Sequence, residues 1–589
     1  MVIAAVAVLV VCGIAARRWI RDRHEATETS ETAVVRSGET SEPAAKLVAR
    51  RVLVAPFENR TGDPSLSSLG LMASDWITRG LAQTGLVEAV SPITAVGSAR
   101  FVAQEAGATD ERERIAALAA ETGAGTVVTG AIYRQGEEIL IAAQVTDTIT
   151  MRLLGALEPS RAPVGEPLVA VENLQSRIMA SVATRLDSRL ASLARPSDLP
   201  NYEAYNEYSQ GLERFILLDF RGAANRWTRA NAMDSSFIRP LLLAAMAYLN
   251  LSEWEMADGL VQKVVPHRSS LSVLDQLLLD RLVSTFEQDF EGALAAMRRS
   301  AELNPQGPGA FDAGALALIT NRPREAVERL EAIDFERGFY RGFAPYWHFL
   351  TEAYHLLGDH AEEIERARRA RELYPSNLSA AWWEARARVA LGDFETVRDL
   401  IGVDPGHGVF DKTAGSVMIA SAGELEAHGY PEEAVEIAEA AVEWHNVRLE
   451  TEGADRVARA GRAEALFAAG RWKEAEEEFV KLAADDPDDL TTRGYLGLLA
   501  AGRGDSVTAQ EVSSWFEQLD RPYLWGAPYY WRAAIAAWSG DMDRALQLFR
   551  DSAAHGRALA GAVPPPHSDL VLQPLWDYPP FQKFIEPKG

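Results

Sequence analysis

Few residues in this chain are of the kinds, and set at the intervals, that chemistry needs. His348 and His355 lie two turns apart on one predicted helix and flank Glu352. Imidazole and carboxylate are metal-ligand types, but a helical site wants its ligands three or four residues apart and a third firm donor. The trio is therefore read as polar lining of a groove. Asp485, Asp486, Asp488 and Asp489 lack the spacing and glycine turn of a calcium loop, so they are expected to form a solvated loop that caps the next helix. Gly123, Gly125 and Gly130 precede a strand where a dinucleotide loop needs a helix, and are read as a helix end and strand start. No glycine-rich loop ends in Gly-Lys-Ser or Gly-Lys-Thr, and no serine sits between glycines in a strand-to-helix turn. Cys12 is the sole cysteine, which excludes an internal disulfide and a cysteine-rich metal site. No catalytic residue, cofactor or metal is expected, and the chain reads as a non-enzyme.

The elements that position the groove are repeated. The stretch from Gly470 to Pro487 places Trp472, Ala475 and Phe479 on one helical face and ends at a proline. Its small residue recurs at Ala223, Ala257, Ala293, Ala326, Ala434, Ala509 and Ala545, with Glu363 and Val397 in the two remaining slots. The period is about 34 residues, one helix-turn-helix unit of a solenoid. Trp347, Leu350, Tyr354 and Pro375 in one copy, Ala223, Trp227 and Ala230 in another, and Ala545 with Phe549 in a third carry a resemblance to the tetratricopeptide repeat family. That resemblance implies a right-handed α-solenoid of about ten hairpins over residues 202–556, whose first helices line a concave surface that binds protein or peptide partners. The candidate groove is then Trp382, Trp383, Arg386 and Val389, with His348, Glu352 and His355 one period upstream and His360 beside them. Neighbouring helix positions point about 100° apart. One tryptophan of the pair is thus expected near the surface, unless each fills a separate inter-helix seam.

A chain of 589 residues exceeds one core, so more than one domain is expected. A net charge of −25 leaves little material for a phosphate-binding face and argues against nucleic acid. Residues 1–23 begin with an uncharged apolar run and read as a single transmembrane anchor, a membrane partner for the chain. The arginines at 17, 18, 21 and 23 favour a cytoplasmic body by the positive-inside bias. In similar proteins, however, a kinase, cyclase or winged-helix domain stands upstream, and the part of the chain beyond the span lies outside. The soluble domains are accordingly expected to be extracytoplasmic. Residues 24–49 read as a flexible linker.

Residues 50–196 alternate strand and helix signals: a buried strand at Val52 to Ala55, a helix carrying Leu69, Met72 and Trp76, a strand at Leu86 to Val90, and a helix from Asp110 to Thr122. Strands come next at Thr126 to Ile132, from Ile139 to Val145 after a turn at Gln135-Gly136, and near Met151 to Leu157, before a helix from Pro167 to Leu193. The order implies a mixed-sheet α/β domain. Val52 to Phe57 with Asn59, Gly62, Asp63 and Pro64, then Gly123 to Gly130 and Ile139 to Asp147, resemble the TolB-like amino-terminal domain that precedes tetratricopeptide repeats in many bacterial proteins. Residues 557–589 break the period, and Trp576, Phe581 and Phe584 are expected to cap the last hairpin. The whole is thus α/β plus all-α. The expected function is a membrane-anchored protein-interaction scaffold, with the sensory or regulatory portion of a kinase- or cyclase-associated receptor, or an envelope structural protein, as alternatives.

Overall fold

The computed structural model describes residues 46–83, 87–104, 110–185, 200–340, 343–375, 378–393, 413–451, 455–557 and 564–588. The expected anchor and most of the linker lie outside them. Among the described residues no helix is long and apolar enough to cross a membrane. On that finding the single-pass, extracytoplasmic placement read from the sequence is withdrawn, because no described helix has the apolar length a bilayer core demands.

The α/β part is a seven-stranded mixed sheet in the order β3, β1, β4, β5, β6, with β2 on β4 and β7 on β5. The strands are β1 (Val48–Val54), β2 (Glu58–Asn59), β3 (Glu88–Ala89), β4 (Ala124–Gln135), β5 (Glu138–Asp147), β6 (Arg152–Ala156) and β7 (Ser160–Pro163). β1 pairs in parallel with β3 and β4, whereas β4 and β5 form an antiparallel hairpin closed by Gly136 at φ +63°. Val52, Leu53 and Val54 are buried on both faces, as a strand covered on both sides requires. Gly130 is set by packing: a Cβ there would lie 2.5 Å from the Phe57 ring. Gly123 ends helix Glu111–Thr122 in the left-handed conformation, and Gly125 and Gly130 lie within β4, so the three glycines are helix end and strand. The helix Pro92–Gln104 and the short strands β2 and β7 were not anticipated.

From Tyr202 the described residues are arranged as helices joined by turns. Among the described residues there are nine hairpins, from Tyr202–Ile216 with Phe220–Met233 to Ala527–Trp538 with Met542–Ala554, plus helix Leu378–Ala390, whose expected partner falls outside them. The alanines at the repeat phase, 223, 257, 293, 326, 434, 475, 509 and 545, are all buried, as is Glu363 in the same slot. Trp472 departs from the expected face. It opens helix Trp472–Asp485 and is 44% exposed, its ring edge on Trp538. Asp489 accepts from the Thr492 amide at 2.7 Å and caps the next helix, as the aspartate loop suggested.

Two sets of contacts organise these parts further. Tyr202, Tyr205 and Arg239 of the first hairpins bind Ser65, Leu71 and Asp75 of the α/β part, and Glu121 accepts from the Gly338 amide at 2.7 Å. At the far end the array curls back: Tyr523 donates to Asp258 at 2.9 Å, and Trp525 packs edge-on against Trp254.

Packing and titration each give a measurable outcome. Ala475→Leu should overpack its hairpin and lower stability by about 1–3 kcal/mol in urea unfolding. His445 lies between Gly415 and Gly461, and burial, aided by Arg448, lowers its pKa to about 4. In the unfolded chain it titrates near 6.5. Its contribution is therefore complete above pH 6.5 and lost as pH falls towards 4. Thermal melts should show a stability loss on the order of 1–3 kcal/mol across that window, beyond the loss in His445→Gln.

Candidate functional site

Four helices and one turn bring the polar residues of the array together. Helix Pro345–Leu356 supplies Glu352 and His355, and His360–Leu373 supplies His360 and Glu363, each pair three residues apart and so on one face. Leu378–Ala390 supplies Arg386. Ala414–Ala427 supplies Glu424, with His428 as its C-cap. The turn at residues 564–568 supplies His567 and Ser568.

Arg386 is fully buried and holds the centre. Its Nε donates to Glu363 Oε1 at 2.8 Å, its Nη1 binds Glu352, and its guanidinium stacks over the Trp382 ring at 4.9 Å. The other Glu363 oxygen faces His355 Nδ1 at 3.0 Å and His360 Nδ1 at 3.2 Å. On the far side of the ring, His355 Nε2 lies 3.3 Å from His567 Nε2 and 3.5 Å from Glu424 Oε2. Ser568 Oγ donates to Glu424 Oε1 at 2.7 Å, which leaves Oε2 with no hydrogen bond among the described residues.

Burial penalises every charge here, and the neighbours decide which survive. For His355, burial opposes protonation, but Glu363 and Glu424 raise its pKa to about 9. For Glu363, burial is outweighed by Arg386 and His355, which bring it to about 2. Burial of Glu424 is likewise outweighed by His355 and His567, so its carboxyl titrates well below the usual range. His428, without such a partner on both sides, is lowered by burial.

The expected groove is thus an interior. Trp382 and Trp383 are both buried, so the tryptophan expected near the surface is absent. Glu352, His355 and Arg386 join the network, His348 packs against the Trp383 ring, and Val389 lies in the apolar core. Reasoning from sequence missed Glu363, Glu424, His428, His567 and Ser568 as site residues. Glu363 left a signal, since it fills a slot that holds alanine in eight other copies and is buried there. The others left none, being far apart in the chain.

The terminal segment passes beside this cluster. Phe581 and Phe584 pack on Phe549 of the last hairpin, the expected capping contact. The segment also reaches further, with Gln573 donating to Glu426 at 2.9 Å and Asn321 Nδ2 donating to the Glu586 carbonyl at 2.9 Å. Ser568 also lines a small cavity with Glu464, Tyr495, Tyr530 and Asp569, where Arg557 lies over the Tyr530 ring.

No protein-family model matches the chain, and no curated protein matches it. Among solved structures it is similar to the Naa15/Naa10 complex bound to HypK-THB, at 14% identity, 59% of this chain, 58% of that chain and a TM-score of 0.21. It is also similar to the TPR domain of P58(IPK), at 13% identity, 59% of this chain, 96% of that one and a TM-score of 0.18. The chain spans just over half the length of the first of these. At such scores neither likeness carries an argument, and the helical-hairpin architecture rests on the pairing of the helices themselves.

Removing Arg386 would leave Glu352 and Glu363 buried without their cation. Arg386→Met should cost about 3–5 kcal/mol in urea unfolding, and adding Glu352→Gln and Glu363→Gln should recover part of it. Alanine at Trp382 with Arg386 would therefore register as lost stability before any effect on binding.

Proposed function

We propose that this chain is a binding protein rather than an enzyme: a protein-interaction scaffold of about ten tetratricopeptide-like hairpins, coiled as a right-handed superhelix behind a TolB-like α/β domain. Its helical array takes short, apolar-anchored, largely helical peptide segments from protein partners. The supporting observation is the chain's own segment 564–588, held against several hairpins. Trp538 Nε1 donates to the Val571 carbonyl at 3.0 Å, Leu572 and Phe581 are buried, and Gly423 lets the Ser568 carbonyl approach where a Cβ would lie 2.3 Å away. The segment is a 3-10 helix, Leu570–Leu575, followed by an α-helix, Pro579–Ile585, and apolar anchors seated in a groove are how helical peptides are recognised. A partner segment of similar pattern would compete for this surface.

A labelled synthetic peptide of residues 564–588 tests the reading. Leu572→Asp with Phe581→Asp in the full chain should loosen the resident segment, and this variant should bind the peptide at least tenfold more tightly than the wild type in fluorescence anisotropy. Gly423→Ala added to the variant should abolish that gain. Equal binding to all three chains, or none to any, would remove the proposal.

A further inference from the structure

The remaining feature is the triangle made by His355 Nε2, Glu424 Oε2 and His567 Nε2. Its edges are 3.3, 3.5 and 3.6 Å. Bonds of 2.0–2.1 Å to tetrahedral zinc put ligand atoms about 3.3–3.4 Å apart, so the three atoms already lie near three corners of such a tetrahedron. Two imidazole nitrogens turned at each other and at one carboxylate oxygen is an awkward arrangement for hydrogen bonds alone. It places three lone-pair donors around a common point.

We propose that His355, Glu424 and His567 bind one divalent transition-metal ion, zinc by ligand type, with the fourth position taken by water. Two imidazoles and a carboxylate suit zinc, cobalt or nickel, and an all-oxygen cation such as magnesium poorly. The surrounding groups have the form of a metal site's outer layer. Glu363 Oε2 lies 3.0 Å from His355 Nδ1, which directs Nε2 to the ion as a lone pair, and Arg386 fixes Glu363 in turn. Ser568 engages the other oxygen of Glu424 and so aims Oε2 at the triangle. Glu424 is 1% exposed, and its Oε2 lacks a hydrogen bond among the described residues. Charge agrees once His355 gives up its proton to the ion: the carboxylates of Glu352, Glu363 and Glu424 then stand against the single guanidinium of Arg386, an imbalance that a dication offsets. His428 Nε2 stands 3.8 Å from Glu424 Oε2, outside the triangle. The alternative trio His355, His360 and Glu363 is less apt, because Arg386 already occupies that carboxylate.

The ion would join helices 345–356 and 414–427 to the turn at His567, and so fasten the terminal segment in place. That consequence rests on the scaffold reading; the ion site does not. Tag-free full-length chain, stripped with chelator, is titrated with Zn²⁺ by calorimetry and with Co²⁺ by visible absorption. One equivalent should bind with sub-micromolar affinity, the cobalt form should show the intense bands of four-coordination, and Mg²⁺ should not compete. His567→Ala and Glu424→Gln should each weaken binding at least 100-fold, and Glu363→Gln about 10- to 100-fold. His567 sits on a surface turn, so His567→Ala should keep the helices, as circular dichroism would confirm, and decides the matter if Glu424→Gln fails to fold. Absence of one-equivalent binding, or wild-type affinity in a folded His567→Ala chain, overturns the site. Zinc binding without any effect on capture of the 564–588 peptide would preserve the site and count against the scaffold reading alone.

Discussion

In eight of the nine described hairpins neighbouring helices approach closely at one buried alanine, and the stacking of those units rests on that approach. Ala223, Ala293, Ala475 and Ala545, among others, are buried at that phase, and a larger side chain there would hold the helices apart. Around these points the aromatic residues fill the seams: Trp227 against Phe215, Tyr495 stacked on Phe479, Phe549 between the last helices and the terminal segment. Close stacking also explains why paired tryptophans at 382 and 383 are both interior. Trp383 meets the His348 ring of the preceding hairpin and Trp382 stacks on Arg386 of its own helix, and a solenoid helix has neighbours on more than one side.

Glu363 is the exception that gives the interior its chemistry. A carboxylate where the array elsewhere holds alanine is a charge with no water, and it survives because Arg386 and two imidazoles surround it. Those partners bring further groups with them. Arg386 recruits Glu352, His355 faces Glu424 and His567, and Ser568 completes the far side. One glutamate at the position that holds alanine in other copies thus sits within a buried network drawn from four helices and the terminal segment.

The network also links distant parts of the chain. The terminal segment passes from Glu424 and Glu426 to the last hairpin and on to Asn321, while the loop at Tyr523 and Trp525 reaches the second hairpin. The α/β part is anchored at the first two hairpins through Asp75, which meets Tyr205 and Arg239, and again at Gly338 through Glu121. Contacts across such sequence separations hold the curvature of the array and cover surface that hairpins stacked one on the next would leave open.

Local and periodic features are legible in the chain alone. The alanine phase and apolar spacing specify helical hairpins, because each hairpin needs only its neighbours. The buried apolar run at Val52 to Ala55 and the alternation from Ile139 to Val145 specify strands, because a strand covered on both sides is apolar throughout and one covered on one side repeats with a period of two. Glycine at 123 and 136 marks the places where the backbone turns left-handed. Features that depend on curvature and closure came only with the folded arrangement. The expected concave lining is interior, the terminal segment runs past the last hairpin, and His355, Glu424 and His567 meet although they lie in three separate stretches of sequence. No window of sequence contains that meeting, since it is set by the summed small rotations between successive hairpins. Charge at a small-residue slot was the one written clue, and its meaning depended on which partners the folded chain would bring.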